Sequence, residues 1–144
     1  MYEDYWDGEN WLTTILSYGF RLYYLNDIKH REDGPAEIWY DKDGSIEKIS
    51  YYKNGKFHRK NGPASIYYYK NGYLTQKEYF FNGKRHREDG PSFIRYYRNN
   101  SIEKKEYWFN NIKFDPDDLP FELPIDTKEK QFLFNLKYGD NNEI

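Results

Sequence analysis

The feature that most constrains this chain is a period. The fourteen residues from Tyr23 to Ala36, Tyr-Tyr-Leu-Asn-Asp-Ile-Lys-His-Arg-Glu-Asp-Gly-Pro-Ala, return at Tyr51–Ala64 and again at Tyr79–Ser92, each time 28 positions on. A fourth copy opens at Tyr107-Trp108-Phe109-Asn110-Asn111 and then decays. Phe114 stands in its His position, and Asp118-Leu119-Pro120 replaces Asp-Gly-Pro one residue late. Matches at this many positions exclude coincidence, and a chain of like units is expected to fold by stacking them.

Turn chemistry says what each unit is. Pairs of Asn, Asp and Gly stand at Asn26-Asp27, Asp43-Gly44, Asn54-Gly55, Asn71-Gly72, Asn82-Gly83, Asn99-Asn100 and Asn110-Asn111, with steps alternating between 17 and 11 residues. Such pairs tolerate the positive φ of a two-residue type I′ hairpin. All seven are read as such turns. The expected fold is all-β: an antiparallel meander of 28-residue, two-strand repeats, elongated or coiled.

Alternation assigns faces. The rows Ala36-Ile38-Tyr40, Ala64-Ile66-Tyr68 and Ser92-Ile94-Tyr96 are expected to face the core. The interleaved residues, Glu37 and Trp39, Ser65 and Tyr67, Phe93 and Arg95, differ from repeat to repeat and are expected to face solvent or a partner. The second strands are expected over 46–53, 74–81 and 102–109. Proline has no N–H to donate inside a sheet, so each His-Arg-x-Asp/Asn-Gly-Pro segment is expected to make a corner.

The ends depart from the period. Residues 1–22 are expected to add capping strands with a turn at Asp7-Gly8. Residues 23–123 hold the repeats, and 124–144 hold a helix and a tail, all in a single domain. A helix is expected over 127–138. Asp126 and Glu129 would form its capping box, Phe132, Leu133 and Leu136 its apolar stripe, and Gly139 its stop. It would cover the last strand, and the tail beyond Gly139 is expected to fray.

Composition narrows the function. Only 38% of residues are hydrophobic but 22% are aromatic, so apolar area must come from rings. The net charge of -2 gives no general attraction to nucleic acid. With no cysteine there is neither a disulfide framework nor a thiolate metal site, which fits a reducing compartment, and the expected location is cytoplasmic. The first twenty residues lack a signal-peptide pattern, and no apolar run is long enough to span a bilayer.

The Tyr-Tyr-x-Asn-Gly-Lys-x-His-Arg units resemble MORN-variant repeats. The wording Asn-Gly-x-x-His-Arg-Glu-Asp-Gly-Pro-Ala resembles repeat proteins of giant DNA viruses and of some bacteria, over Tyr23 to Leu123. Common MORN units have a shorter period and carry Gly where this chain has Arg31, Arg59 and Arg87. The resemblance implies an elongated antiparallel sheet used for protein attachment, with lipid-headgroup binding in some members. For a viral chain it implies host cytoplasm or virion. It brings no catalytic residue and no cofactor.

Candidate sites follow from the period. His30, His58 and His86, the only histidines, recur about 10 Å apart if each repeat adds two strands. One metal ion cannot collect all three, and a structural corner role is expected. Arg31, Arg59 and Arg87 precede Asp33, Asn61 and Asp89 by two residues, which suits a turn brace or, alternatively, a ladder of cations for phosphate or carboxylate. Asp115, Asp117 and Asp118 are read as a solvated loop rather than a Ca²⁺ site. The aromatic file Tyr23, Tyr51, Tyr79 and Tyr107, with Trp39 and Tyr67, is the candidate partner surface unless the core or the terminal segments cover it. No nucleophile elbow, phosphate loop or His-Glu-x-x-His occurs. The expectation is a non-catalytic module for protein–protein interaction or assembly, with a carbohydrate- or lipid-headgroup-binding module as the alternative.

Overall fold

The computed structural model describes residues 2–6, 8 and 10–139, with only the backbone described for Tyr2 and Trp11. Strands run in the order β1 Tyr2–Trp6, β2 Trp11–Ser17, β3 Phe20–Leu25, β4 Ile28–Lys29, β5 Glu37–Tyr40, β6 Ile46–Ser50, β7 Tyr52–Lys53 and β8 Lys56–Phe57. They continue as β9 Ser65–Tyr68, β10 Leu74–Glu78, β11 Phe80–Phe81, β12 Lys84–Arg85, β13 Phe93–Tyr96, β14 Ile102–Phe109 and β15 Ile112–Phe114. A 3-10 turn at Pro116–Asp118 and the helix α1, Lys128–Tyr138, follow. The main sheet is an antiparallel meander, β1-β2-β3-β5-β6-β9-β10-β13-β14-β15, open at β1 and β15, with β4 paired to β3. The expected capping strands are therefore present at the N-terminus. Their first turn contains Gly8 at φ 104°, while Asp7 lies outside the described residues, as does the tail beyond Gly139.

The strand expected over 46–53 is not continuous. It breaks at Tyr51, and its equivalent breaks at Tyr79. The Tyr51 N–H donates to Ala64 O at 2.7 Å, while its carbonyl accepts from the His58 N–H at 3.0 Å. Tyr23 and Tyr79 repeat both bonds with Ala36 and His30 and with Ser92 and His86. After Tyr51 and Tyr79 the chain leaves the main sheet and forms a short ribbon, β7–β8 or β11–β12, whereas after Tyr23 β3 runs on to Leu25 and its ribbon partner β4 stays in the main sheet. Neighbouring ribbons are joined: Gly55 N–H to Lys29 O at 2.9 Å, Gly83 N–H to Phe57 O at 2.8 Å and Asn111 N–H to Arg85 O at 2.9 Å. The first and last copies are unbroken at this place, β3 running from Phe20 to Leu25 and β14 from Ile102 to Phe109.

The turns divide into two classes, which corrects the uniform type I′ reading. Both central residues have positive φ at Asn26-Asp27, Asn54-Gly55, Asn82-Gly83 and Asn110-Asn111, the ribbon tips. At Asp43-Gly44, Asn71-Gly72 and Asn99-Asn100 only the second residue does. There the first side chain braces the loop. Asp43, Asn71 and Asn99 accept from the N–H groups of Ser45, Tyr73 and Ser101 at 3.0, 3.2 and 3.0 Å. These longer tips carry a register shift beside the turn, with Glu47, Thr75 and Glu103 the extra residues on the strands that follow, as a wider loop with a bulge requires.

The ribbons fold over one face of the sheet and change its burial. Cross-strand pairing lines up Glu37, Ser50, Ser65, Glu78, Phe93 and Glu106 in one row. Glu37, Ser65 and Phe93, expected to face outward, are buried. Trp39 and Arg95 are exposed and Tyr67 is half-buried. The opposite row is covered unevenly: Ala36, Ala64, Ser92 and Ile94 are buried, while Ile38, Ile66 and the three tyrosines are half-buried. The sheet thus has apolar material on both faces, because the covering layer comes from within each repeat.

The helix ends the stack, with two corrections. Thr127, not Asp126, is its N-cap, accepting from the Lys130 N–H at 3.2 Å, and Asp126 pairs with Lys130 Nζ at 3.6 Å. Its buried stripe is centred on Phe134, which is fully buried between Phe109 and Phe114 with ring centroids at 5.0 and 5.2 Å. Phe132 and Leu136 point outward, 61% and 59% exposed, and Leu133 is half-buried. The rings of β14 and β15 form the apolar floor here, and Phe134 and Tyr138 fit it, stacked on each other. Gly139 stops the helix in a right-handed conformation, so its freedom to adopt positive φ is not used. Asp115 caps the 3-10 turn by accepting from the Asp117 N–H at 3.0 Å.

Candidate functional site

The His-Arg corners recur with the same bonds. His30, His58 and His86 each accept at Nδ1 from the backbone N–H of Asn54, Asn82 and Asn110, at 3.0, 3.1 and 3.3 Å. Each histidine therefore ties its corner to the first turn residue of the next ribbon. That bond fixes the tautomer: Nδ1 is the acceptor and Nε2 carries the proton. In the first repeat Nε2 faces Glu32 Oε1 at 2.9 Å. Burial holds the His86 imidazole below its ordinary range, against the opposing pull of Glu88.

The arginines close the other side of the corner. The guanidinium carbons of Arg31, Arg59 and Arg87 lie 4.1, 3.9 and 4.1 Å from the ring centroids of Tyr23, Tyr51 and Tyr79. Each also donates from Nη1 to the carbonyl of Pro35, Pro63 or Pro91 at 3.1–3.3 Å. Arg31 and Arg87 add Nε bonds to Asp33 at 2.9 Å and Asp89 at 2.7 Å. A Cβ on Gly34, Gly62 or Gly90 would meet the guanidinium at 3.1–3.2 Å, so glycine at this place lets the planar group lie flat. The tyrosine file read as a partner surface is thus occupied by cations of its own repeat. Tyr107, which has no such arginine, packs against Phe114 at 5.9 Å.

Beneath the ribbons lies a charged row, of which alternation places Glu37, Ser65 and Phe93 outward and assigns Ser50, Glu78 and Glu106 no face. Burial would raise the Glu37 carboxyl, but the donation from Trp39 Nε1 and the nearby Lys48 and Lys29 ammonium groups outweigh it and hold it low. Lys29 Nζ sits 3.3 Å from Glu37 and 4.7 Å from the Tyr52 ring. Tyr52 and Phe57 stack at 4.5 Å, and Phe57 meets Phe80 at 5.1 Å. Arg85 then bridges Glu78 at 2.8 Å and lies 5.7, 5.4 and 5.6 Å from the rings of Phe80, Phe93 and Trp108. Hydrogen bonding from Lys104, with Trp108 and Lys113, holds the Glu106 carboxyl down to about 2. The signal for this row was present in the period, since Ser50, Glu78 and Glu106 are 28 apart.

A cleft of about 950 Å³ lies between the second and third corners and the start of α1. Its floor holds Phe81, His86 and Phe109, with Arg59 and Lys60 at one side and Glu88 and Asp126 among the other lining groups. The second corner differs in charge from its neighbours. Lys60 and Asn61 stand where the first and third corners have Glu32-Asp33 and Glu88-Asp89. Among the described residues neither Arg59 nor Lys60 forms an ion pair, and no group of three His, Cys, Asp or Glu side chains is arranged to hold a metal ion.

Of the other candidate residues, Trp39 is 38% exposed and leans on Phe20 at 5.2 Å. The half-buried Tyr67 has Lys48 Nζ 5.5 Å from its ring centroid. The exposed apolar surface is mostly elsewhere. It comprises Tyr5, Trp6, Leu12 and Ile28 at the N-terminal end, Tyr18, Ile46, Tyr73, Tyr97 and Ile102 near the longer turns, Phe81 at the third ribbon, and Phe132 and Leu136 on α1. Comparison with protein-family models, with curated proteins and with solved structures gives no match. Among the described residues no helix is long and apolar enough to cross a membrane.

Proposed function

We propose that this chain is a non-catalytic repeat module for protein attachment or assembly. The carrying observation is where the apolar surface lies. Large side chains stand open at both ends of a braced sheet, with Tyr5 at 64% and Phe132 at 61% exposure, and along its long-turn edge, where Tyr18 is 86% exposed, while the recurring polar groups bond within the stack. Isolated exposed rings are ordinary, but clusters at the ends of a rigid body mark docking surfaces. The likeness of the repeat wording to MORN-variant and giant-virus repeat proteins supports the same reading, with host cytoplasm or virion as the setting. The test is capture on the immobilised chain together with size-exclusion and light scattering. A reproducible partner, self or other, is expected. A chain that stays monomeric and retains nothing overturns the reading.

One observation favours a second reading. Arg59 and Lys60 beside the exposed ring of Phe81 suit an anionic headgroup or a sugar, which would stack on that ring and meet the cations. Glycan and lipid arrays test it. Binding lost in Arg59→Ala and Lys60→Ala supports it, and silence on both arrays removes it.

A further inference from the structure

We propose that copies of this chain associate head to tail, the outward stripe of α1 in one copy seating on the first ribbon of the next. This rests on the attachment reading and names its partner. The argument starts from equivalent positions. Leu25 and Ile28, a cross-strand pair, correspond by the period to Lys53 and Lys56, to Phe81 and Lys84, and to Phe109 and Ile112. Both members are apolar only in the first and last copies. In the last copy the pair is covered: Phe109 is buried and Ile112 packs beside it under α1. The first copy has the same kind of surface, and among the described residues no helix covers it: Leu25 is half-buried, and Ile28 remains 50% exposed beside Gly55 of the next ribbon.

That surface is larger than two residues. Leu25 pairs across the sheet with Leu12, and Leu12 with Tyr5, so Tyr5, Leu12, Leu25 and Ile28 make one file on one face. Tyr5, Leu12 and Ile28 are 64%, 37% and 50% exposed. At the opposite end of the strand order α1 carries the complementary element. Phe132 and Leu136, four residues apart on one helical stripe, project away from the buried Phe134. Charge favours the same match. Glu3, on the same strand face as Tyr5, and Asp27 stand exposed beside the apolar file, whereas α1 exposes Lys128 and Lys137 against the single acid Glu129, Lys130 being paired with Asp126. Two unlike patches on opposite ends make a heterologous contact, which propagates from copy to copy unless the rotation closes a ring. The few side chains involved place it at the weak, concentration-dependent end of protein contacts.

Sedimentation velocity over a concentration series tests the proposal with two variants, Ile28→Asp at the head and Leu136→Asp at the tail. The wild-type weight-average mass is expected to rise with concentration above the 17.7 kDa chain. Each variant alone is expected to remain at one chain. Mixed in equal amounts, each supplies the surface the other lacks, and the expected product is two chains and no more. Complementation also shows that both variants are folded, and Ile28→Ser with Leu136→Ser repeats the pair with a gentler change. Self-association that ignores both substitutions, or variants that match wild-type far-ultraviolet dichroism yet fail to complement, overturns the proposal. A wild-type monomer that nevertheless retains a different protein on the immobilised chain overturns head-to-tail pairing and leaves the attachment reading standing. A monomer that retains nothing sinks both.

Discussion

Ser92 holds the place that Ala36 and Ala64 hold in the preceding repeats, and all three are fully buried. Its hydroxyl has no hydrogen-bond partner. A buried, unpaired hydroxyl costs about 1–3 kcal/mol, and the cavity already accepts a methyl group in two equivalent sites. Ser92→Ala is therefore expected to raise the thermal midpoint, by roughly 2–4 °C per kcal/mol for a chain near this size. Scanning calorimetry checks it, and a lowered midpoint would mean the hydroxyl is paired after all. Glu106 tests the charged row beneath the ribbons. Its carboxyl is held near 2 against an ordinary 4.5, first by Lys104. The folded state thus prefers the charged form. That stabilisation is complete above pH 4.5 and is lost as pH falls toward 2. Urea midpoints measured from pH 5 to pH 2 are expected to fall steeply, and Glu106→Gln is expected to flatten that slope. His86 gives a separate limb. Burial depresses its pKa below 6.5, so the fold prefers neutral imidazole, and stability is expected to decline as pH drops below 6.5. His86→Phe, copying Phe114 of the fourth repeat, is expected to remove that decline.

Among the elements, α1 separates the two apolar stripes most sharply. Phe134 is buried against Phe109, Phe114 and Tyr138, whereas Phe132 faces solvent. Phe134→Ala is expected to cost about 3–5 kcal/mol through lost burial and the cavity left behind. Phe132→Ala is expected to change the dilute monomer's stability by less than about 0.5 kcal/mol. Chemical denaturation of both variants decides it, and equal costs would mean that the helix is rotated from the arrangement described. The same helix shows what the sequence made legible. Its position was readable from Thr127 to Gly139, but its buried face was not. Phe132, Phe134 and Leu136 are all apolar, and the choice among them was set by Phe109 and Phe114, distant in sequence. The ribbon tips were readable because Asn-Gly pairs suit type I′ turns. The same pairs also serve the wider loops at Asp43-Gly44 and Asn71-Gly72, where strand register decides the class. The break at Tyr51 was hidden for a similar reason. Nothing in the run from Ile46 to Lys53 marks Tyr51 as a boundary, and the bonds it makes there reach Ala64 and His58, 13 and 7 residues away. The stacking of Arg59 on Tyr51 spans eight residues and follows neither a strand nor a helix period, so no local pattern announced it. The period did locate the Arg31, Arg59 and Arg87 corners. The exposed candidates are a different set, since of the residues read as a partner surface only Trp39 stands open.

Across the whole molecule, a stack of like units is stabilised mainly between neighbours, so its ends set where opening begins. The two ends are unequal. At the C-terminus, α1 covers β14 and β15, and the Ile125 N–H bonds Glu88 O at 2.9 Å, tying the terminal segment back to the third corner. At the N-terminus, β1 pairs only with β2, and Tyr5 and Trp6 stand exposed on it. Local opening that starts at β1 loses one set of ladder bonds and little buried apolar area. Opening at β10 must separate strands on both sides and expose the ring file of Tyr52, Phe57 and Phe80. Native-state hydrogen exchange on dilute protein is therefore expected to show a gradient. Amides of Ile66, Lys77 and Ile94 in β9, β10 and β13 should exchange slowest, and those of Glu3 to Tyr5 roughly 100-fold faster or more, the spread that a few kcal/mol of subglobal opening produces. Equal protection from β1 through β14 would show that the ribbons couple all units into one cooperative body, and that the stack does not open from its uncovered end.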